Sequence, residues 1–250
     1  MNEIANTTVL ISGGAGSMGQ LVSEYINTRE DFTLSAIHDP NYKKEDYKIY
    51  TDLKNIKEDL VIEFSPASVI NENVNKLIDS DVDIIIGSSG LNPDSLSALK
   101  NSADNRTIIV IPNFSVGAAY QKIFSNALSS KFNSVNIVEK HHSKKQDSPS
   151  GTAFDLANSL PPELTSHDLE GKYSDVNKIN NKNIYSLRGD EYLAEQTVNF
   201  VNEFESFHLD HNVSDRKAYL YGMKIVLDQY SEMEGFNFGL ENILADQITI

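Results

Sequence analysis

The sequence predicts an α/β protein of two domains, and three observations carry this prediction. Short apolar runs alternate with helix-like segments through the first half of the chain. A glycine-rich turn separates the first run from the first helix, and after Pro112 most of the strand candidates follow one another without intervening helices. Apolar strands alternating with helices are typical of a parallel sheet covered on both faces, whereas consecutive strands favour an antiparallel or mixed sheet.

Strands are predicted in the first half wherever an apolar, β-branched run stops at a turn residue or an acid. They are Thr8–Ile11, Thr33–Ile37, Leu60–Phe64, Val82–Ile86 and Thr107–Ile111. The segments between them predict helices at Met18–Asn27, Ser68–Asp79 and Asn92–Lys100. The carboxyl ends of such strands meet at one edge of the sheet, where α/β proteins bind their ligands.

The second half predicts a smaller α+β domain with a mixed sheet open on one face. Its strand candidates are Ser134–Glu139, Asn183–Leu187, Gln196–Val201 and Ser206–Val213, and its helices are Gly117–Lys131 and Ser150–Leu160. The polar segment Thr165–Lys182 reads as a surface loop. A last helix, Asp215–Gln229, is expected to return to the first domain. We therefore expect one domain from residues 1–116 with 217–250, and a second from residues 117–216.

Composition excludes several classes of function. The 250 residues carry a formal net charge of -15 and a pI of about 4.7, which argues against nucleic acid or an anionic membrane as a partner. No cysteine is present, so disulfides, thiolate nucleophiles and thiolate metal sites are excluded. No signal peptide and no run of about 20 apolar residues is found. A cytoplasmic protein is the expectation.

The stretch SGGAGSMG, Ser12–Gly19, follows the first strand and opens the first helix. Its glycines have the spacing G-x-x-G-x-x-G, a relative of the Rossmann dinucleotide fingerprint. Such a turn lets the backbone approach a pyrophosphate closely, while the helix start offers N–H groups to it. A plain structural turn between strand and helix is the alternative. The residues expected to bind cofactor here are Gly13, Gly14, Ala15, Gly16, Ser17 and Met18.

Asp39 ends the second strand 20 residues after Gly19, near the spacing of an acid that binds the ribose hydroxyls. A carboxylate there accepts hydrogen bonds from a 2′-OH and repels a 2′-phosphate. Lys43 and Lys44 follow closely and are able to offset part of that repulsion. The sequence therefore predicts NADH as the preferred cofactor, with NADPH possible.

Small or aromatic residues at the ends of the later strands extend the same crevice. Each of these short stretches is, taken singly, equally compatible with a plain turn. The cofactor-binding residues expected there are Phe64, Gly87, Ser88, Ser89, Pro112, Asn113, Phe114 and Ser115.

The stretch EKHHSKKQDSPSGTAFDL, Glu139–Leu156, concentrates positive charge in an acidic chain. A histidine suits proton transfer near neutral pH, and only one of His141 and His142 can face a given site, because neighbouring side chains on a strand point to opposite sides. A helix that starts at Ser150 offers N–H groups to an anion. The alternatives are a solvated lysine pair, a plain helix cap and a weak two-histidine metal site. Together the features predict an anion-binding acid/base loop.

These residues resemble the 4-hydroxy-tetrahydrodipicolinate (dihydrodipicolinate) reductase family of lysine and diaminopimelate biosynthesis. The family pattern E-x-H-H, a lysine, then D-x-P-S-G-T-A stands here at residues 139–153, and further similarity lies at 13–19, 87–90, 112–117, 188–189 and 211–216. The resemblance implies that a hydride from the nicotinamide reaches C4 of a cyclic dicarboxylate, whose 4-hydroxyl leaves as water. It also implies roles for particular residues: His141 as acid/base, Lys145 as proton donor, and His142, Ser150, Gly151 and Thr152 as substrate-binding residues.

The chain departs from the family pattern at a few positions. Ser17 stands where the family commonly has an arginine that meets the 2′-phosphate, which strengthens the NADH prediction, and Gln196 replaces a usual histidine. The resemblance also implies a homotetramer assembled through the sheet of the second domain. Two other functions stay open at this point: another two-domain NAD(P)-dependent dehydrogenase, and a non-catalytic nucleotide-binding homologue.

Overall fold

The structure, a computed structural model, describes residues 6–245 and divides into two units. One comprises Met1–Phe114 with Leu220–Leu240, and the other Ser115–Tyr219 with Glu241–Ile250. The boundaries expected from the sequence lie within three residues of the limits near 114 and 219. The expected assignment of the whole segment 217–250 to the first domain differs from this division. Glu241 belongs to the second unit, where its carboxylate pairs with Lys122 at 2.6 Å.

The strands fall close to the apolar runs of the sequence. In chain order they are β1 (Thr7–Ser12), β2 (Phe32–His38), β3 (Lys48–Tyr50), β4 (Leu60–Glu63), β5 (Asp83–Ile86), β6 (Ile108–Val110), β7 (Ser134–His141), β8 (Asp175–Ile179), β9 (Lys182–Arg188), β10 (Ala194–Val201), β11 (Ser206–Val213) and β12 (Phe236–Phe238).

The helices also agree with the expected segments, apart from a short one near the end of the described residues. They are α1 (Ser17–Ile26), α2 (Ile70–Ile78), α3 (Pro93–Asn101), α4 (Val116–Leu128), α5 (Gly151–Ser159), α6 (Tyr219–Gln229) and α7 (Leu240–Ala245), with 3₁₀ turns at Arg216–Ala218 and Tyr230–Glu232. Over residues 6–245 no helix combines the length and apolar character that a membrane crossing needs.

The first unit is built on a parallel sheet in the order β12-β6-β5-β4-β1-β2-β3. Its central strands are fully buried, as Leu10, Ile62 and Ile85 show, because helices cover the faces of a parallel sheet. The predicted parallel, Rossmann-like sheet is confirmed. Strand order reverses at β1, and in such sheets the ligand crevice lies beside the reversal.

The segment Leu220–Leu240 completes this unit. Strand β12 pairs with β6 at the sheet edge, and helix α6 lies against the end of the first segment. At Gly222 an added Cβ would lie 2.0 Å from the carbonyl oxygen of Phe114, so no larger residue fits there without displacing backbone. Most of the expected last helix, Asp215–Gln229, thus lies in the segment of this unit.

The second unit has a mixed sheet in the order β11-β10-β7-β9-β8, in which only the β7–β9 pair is parallel. Helices α4 and α5 pack on one face, and their apolar contacts with the sheet form the core of this unit. Val135, Ile137, Glu139 and His141 alternate along β7 onto this helix-covered face, because side chains two apart share a face. The predicted mixed sheet is confirmed.

The expectation of a surface loop over Thr165–Lys182 is wrong in one part, because β8 lies within it and pairs with β9. The two strands are joined by Asn180 and Asn181, whose φ angles are 45° and 63°. A two-residue hairpin turn of type I′ requires left-handed backbone at both positions, and asparagine tolerates it well. The two asparagines therefore indicate a turn in the sequence. The strand beside them is polar, however, and lacks the apolar pattern by which strands are predicted.

Gln196, which replaces the family's usual histidine, is a buried residue of the helix-covered face. Its side-chain amide donates to the side-chain oxygen of Gln121 on α4 at 2.8 Å. The Gln121 amide in turn donates to the backbone carbonyls of Gln196 and Leu209 at 2.8 and 2.7 Å. This exchange fixes α4 on the sheet, so the substitution preserves packing between helix and sheet.

Candidate active site

The glycine-rich turn of the first unit is a backbone cradle with no room for side chains at its base. An added Cβ at Gly19 would lie 2.2 Å from the carbonyl oxygen of Gly13, and one at Gly13, whose φ is +79°, would meet the backbone of Phe64 at 2.7 Å. Helix α1 begins after Gly16 with no side-chain cap. Its first N–H groups therefore suit a pyrophosphate, which fits a dinucleotide.

Asp39 lies directly after β2 and is fixed to this turn. One carboxylate oxygen accepts the backbone N–H of Ala15 at 3.0 Å, and the other accepts that of Asn41 at 2.7 Å. Lys43 directs its ammonium to the carbonyl of Pro40 at 3.3 Å. The structure thus brings Asp39 beside the glycine turn, as the sequence spacing predicts.

Three of the other expected residues gather where β4, β5 and β6 end. The rings of Phe64 and Phe114 lie 6.2 Å apart. A Cβ at Gly87 would come within 2.3 Å of the first ring and 2.7 Å of the second. Glycine at this position therefore lets both rings approach the end of β5, and the rings supply a flat apolar surface of the kind that small-molecule sites use.

The hydroxyls expected at these strand ends have protein partners. Ser88 donates to the backbone carbonyl of Glu63 at 3.2 Å. Ser115 caps helix α4 by accepting the Ala118 N–H at 3.3 Å, and it also bonds to His211 Nε2 at 2.9 Å. Ser89, Pro112 and Asn113 lie in the same turns, after β5 and β6.

In the second unit, β7 places the buried carboxylate of Glu139 beside the imidazole of His141. Glu139 is fully buried, and its Oε2 lies 2.5 Å from His141 Nδ1. Arg188 on β9 forms two further bonds to the same carboxylate, Nη1 to Oε2 at 3.0 Å and Nη2 to Oε1 at 2.9 Å. The backbone N–H of Ser150 donates to Oε1 at 3.3 Å.

The pKa of Glu139 reflects this arrangement. Burial alone raises the pKa of a carboxyl group, but the hydrogen bonds from His141 and Arg188 outweigh that effect and hold the pKa at about 2. The carboxylate is therefore ionised at any physiological pH, and its charge is compensated by the arginine.

The segment 141–150, here called the His–Lys loop, follows β7. Lys145 is half-buried and pairs with the carboxylate of Asp147 at 2.9 Å, whereas Lys144 is exposed. Burial raises the pKa of Asp147, but the bond to Lys145 outweighs it and the net pKa is lowered. His142 is half-exposed, and its carbonyl accepts the Lys145 N–H at 3.0 Å. The two lysines, equivalent in sequence, therefore differ in their surroundings.

Helix α5 closes the loop and offers an anion site at its start. Ser150 is the N-cap, and its hydroxyl accepts the Ala153 N–H at 3.3 Å. Gly151 and Thr152 occupy the first turn of the helix, the end at which the helix dipole favours an anion. An added Cβ at Gly151 would meet nothing within 4 Å, so the surface there is open.

Over residues 6–245 the structure contains no group of three acidic, histidine or cysteine side chains that could hold a metal ion.

Two residues of this cluster, Glu139 and Arg188, are not among the site residues that the sequence predicts. Both belong only to the motifs that resemble the family. The spacing of Glu139 and His141, two apart on a strand, was the available signal, because it places both side chains on one face. Nothing in the sequence indicates that Arg188, some 50 residues later, reaches the same carboxylate.

Family models match the whole described chain. The description "Dihydrodipicolinate reductase, N-terminus" matches residues 7–114, and "Dihydrodipicolinate reductase, C-terminus" matches residues 115–244. The chain belongs to the dihydrodipicolinate reductase family. Membership confirms the resemblance seen in the sequence, and it makes the chain an oxidoreductase of this type that uses a nicotinamide dinucleotide.

Curated relatives agree with the family models. A 4-hydroxy-tetrahydrodipicolinate reductase of Listeria innocua is 31% identical, over 94% of this chain and 99% of the relative. One of Legionella pneumophila is 30% identical, over 95% of this chain and 99% of the relative. The similarity therefore extends across both units.

Among solved structures, one is similar as a member of the family and another is similar in fold alone. A dipicolinate-bound dihydrodipicolinate reductase from Paenisporosarcina sp. TG-14 is similar with a TM-score of 0.80 and 26% identity, covering 96% of this chain and 100% of that one. A myo-inositol dehydrogenase from Corynebacterium glutamicum has a TM-score of 0.62 at 13% identity, covering 92% and 90%. The second likeness shows a shared fold alone and lends no support to another dehydrogenase function.

Replacing Glu139 by glutamine is expected to weaken the acid dependence of stability. Because the folded-state pKa of about 2 lies below the ordinary value of 4.5, the contribution of this carboxylate is complete above about pH 4.5. It is lost as the pH falls towards 2. The difference in unfolding free energy between wild type and Glu139→Gln, measured by denaturant titration, should therefore shrink over that range.

The control is Glu72→Gln, which removes an exposed carboxylate paired with Lys76 at 2.9 Å. Its difference from wild type should stay within about 0.5 kcal/mol at every pH, because exposed ion pairs contribute little. A difference for Glu139→Gln that does not change between pH 4.5 and 2.5 would contradict the assignment.

Proposed function

We propose that this chain reduces 4-hydroxy-tetrahydrodipicolinate to tetrahydrodipicolinate, with loss of water and oxidation of a nicotinamide dinucleotide, in lysine and diaminopimelate biosynthesis. The observation that carries the proposal is the arrangement around Glu139. One buried carboxylate bonds both to the imidazole of His141 and to the backbone of Ser150, the cap of an open helix start. A proton-transfer group and an anion site are thereby held together.

The helix start suits one carboxylate of the substrate. The Paenisporosarcina relative is a dipicolinate complex, and dipicolinate is a dicarboxylate like the proposed substrate. The N–H groups of Gly151 and Thr152 and the positive end of the α5 dipole favour an anion. Because the chain carries a net charge of -15, such a local site is needed to hold a dianion. We assign His142, Ser150, Gly151 and Thr152 to substrate binding.

His141 and Lys145 supply the proton chemistry. When bound, a nicotinamide dinucleotide would supply the hydride that replaces the 4-hydroxyl at C4 of the substrate. Departure of the 4-hydroxyl as water requires a proton at that oxygen, and a histidine and a lysine at the loop are able to deliver one. We assign His141 as acid/base and Lys145 as proton donor. The ion pair between Lys145 and Asp147 keeps that ammonium at the loop in the protein without substrate.

We further propose NADH as the preferred cofactor, held by the strand-end residues Gly13–Met18, Asp39, Phe64, Gly87–Ser89 and Pro112–Ser115. Asp39 is fixed by two backbone N–H groups and so presents its charge at a set place. A carboxylate there favours two ribose hydroxyls over a 2′-phosphate. Ser17 brings no compensating cation.

We infer a homotetramer assembled through the face of the second sheet opposite α4 and α5, called here the open sheet face. Val138 and Leu187 lie half-buried on this face, whereas the neighbouring Tyr185 is covered by Leu169 and Tyr173. A partly exposed apolar sheet face is a usual contact surface between subunits. We place the enzyme in the cytoplasm, because a chain without cysteine suits a reducing compartment.

The activity is tested by following NADH oxidation with substrate generated from pyruvate and aspartate semialdehyde. We expect turnover by the wild type, and a fall in kcat of ~10²-fold or more for His141→Ala and for Lys145→Ala, as for lost acid/base groups. Lys144→Ala is the matched control and should keep wild-type kcat, since Lys144 is exposed. Wild-type turnover in either of the first two variants would exclude its assigned role.

Asp39→Asn tests the cofactor preference while keeping the size of the side chain. The ratio of kcat/KM for NADH to that for NADPH is expected to fall about 10-fold, because the charge that repels a 2′-phosphate is lost. Asp46→Asn, an exposed acid bonded to the Tyr42 hydroxyl at 2.8 Å, should leave the ratio unchanged. A wild-type enzyme with a much lower KM for NADPH than for NADH would refute the preference.

The assembly is tested by light scattering on the purified protein. We expect the mass of four 27.8 kDa chains, and dissociation in Leu187→Asp, which places a charge on the open sheet face. Ile49→Asp, on the edge strand of the first unit and 41% exposed, should remain tetrameric. A monomeric wild type, or a tetrameric Leu187→Asp with native circular dichroism, would argue against this surface.

A further inference from the structure

Glu139 is a fully buried, ionised carboxylate whose four hydrogen bonds lead to three different segments. They come from His141 on its own strand, from Arg188 on the neighbouring strand β9, and from the backbone of Ser150 at the start of α5. A buried charge is costly unless each of its oxygens is paired. The arrangement here pairs both oxygens with groups on either side of the His–Lys loop.

The direction of the His141 contact has a chemical consequence. Nδ1 faces Glu139 at 2.5 Å, and a carboxylate only accepts hydrogen bonds, so the proton of the neutral ring lies on Nδ1. The other nitrogen, Nε2, is then the one that exchanges a proton with a reacting group. An orienting carboxylate behind an imidazole has this effect in catalytic histidines generally.

Arg188 compensates the carboxylate and reaches the loop as well. Besides its two bonds to Glu139, its Nη2 donates to the backbone carbonyl of Asp147 at 2.6 Å. Asp147 in turn pairs with Lys145 through its side chain. The Glu139–Arg188 pair is therefore connected to both proposed proton-transfer groups and to the cap of α5.

We propose that Glu139 is a positioning residue for the reaction: with Arg188, it fixes the tautomer and orientation of His141 and sets the place of the α5 start relative to that ring. The inference rests on the proposed function, since it takes His141 as the acid/base residue and the α5 start as the carboxylate site. Glu139 itself lies wholly inside the unit and does not touch substrate.

A purely structural ion pair is the competing explanation, and the contacts distinguish the two. An arginine alone would compensate the charge of Glu139. The carboxylate instead divides its oxygens between the guanidinium and two groups of the loop, a side-chain nitrogen and a backbone N–H. A structural pair gives no reason for catalysis to respond when its charge is removed without loss of folding.

The experiment uses the full-length enzyme with Glu139→Gln, which keeps the side-chain volume but removes the charge. We expect kcat to fall ~10²-fold, as when an orienting partner is lost. KM for NADH should stay within about twofold of wild type, because all the proposed cofactor residues except Ser115 belong to the first unit. Should Glu139→Gln fail to fold, Glu139→Asp applies the same test, since its shorter side chain cannot reach His141 and Arg188 together.

The pH profile gives a readout that a structural role would not move. Removal of the carboxylate leaves His141 facing the arginine cation, with Lys145 and Asp147 as the other charged groups of the loop. The imidazolium form becomes less stable, so the limb of the kcat/KM profile that reports this imidazole should move to lower pH. An unchanged profile with unchanged kcat would overturn the proposal.

Gln121→Leu is the matched control for stability, because it breaks buried hydrogen bonds between α4 and the same sheet without touching the loop. At a comparable loss of Tm it should keep kcat within about threefold of wild type. If it loses as much kcat as Glu139→Gln, the effect is one of stability and the proposal is wrong.

The outcome for His141→Ala separates this inference from the function it rests on. An inactive His141→Ala with a nearly wild-type Glu139→Gln refutes the positioning role alone. A fully active His141→Ala refutes the proposed role of His141, and with it the need for an orienting residue.

Discussion

The second unit is organised around one buried ionic contact, that between Glu139 and Arg188. Isolated in an apolar interior, either charge would cost several kcal/mol. Placed together on neighbouring strands, they form two charge-assisted hydrogen bonds at 2.9 and 3.0 Å. The remaining capacity of the carboxylate then holds the imidazole of His141 and the first N–H of the α5 cap. Because the buried carboxylate of Glu139 needs hydrogen-bond partners, it fixes where His141 and the start of α5 lie.

An acidic protein needs local sites of positive potential to bind an anion. With a net charge of -15, the overall field repels the proposed dicarboxylate and the dinucleotide alike. The two proposed anion sites are the starts of helices α1 and α5, whose backbone N–H groups attract an anion only at short range. One cation of the His–Lys loop, Lys145, is held in place by the carboxylate of Asp147.

In the first unit the shape of the proposed site depends on glycine, whereas in the second unit it depends on the buried ion pair. At Gly13, Gly19 and Gly87 a side chain would collide with backbone or with the rings of Phe64 and Phe114. The surface left open is a cradle of backbone next to Asp39. The proposed preference for NADH over NADPH then depends on single side chains at the rim of this cradle, Asp39 and Ser17.

Local pattern alone determined most of the secondary structure. The long apolar strands, the main helices and the two-domain division follow from periodicity and turn residues. The short strands β3, β8 and β12 were missed, because three to five residues, partly polar, carry too little pattern and are held by pairing with β2, β9 and β6. No local pattern indicates that Glu241 pairs with Lys122, because the two residues are far apart in the chain.

The motifs likewise determined which residues are proposed to carry chemistry, since glycine spacing, an acid after a strand and the H-H-x-x-K and S-G-T sequences are properties of neighbouring residues. Only the tertiary structure decided how those residues are oriented. That His141 turns Nδ1 inward, that Arg188 compensates Glu139, and that Gln196 bonds to Gln121 all depend on contacts between strands and helices far apart in the chain. Such contacts arise from the register of a folded sheet, which no local pattern specifies.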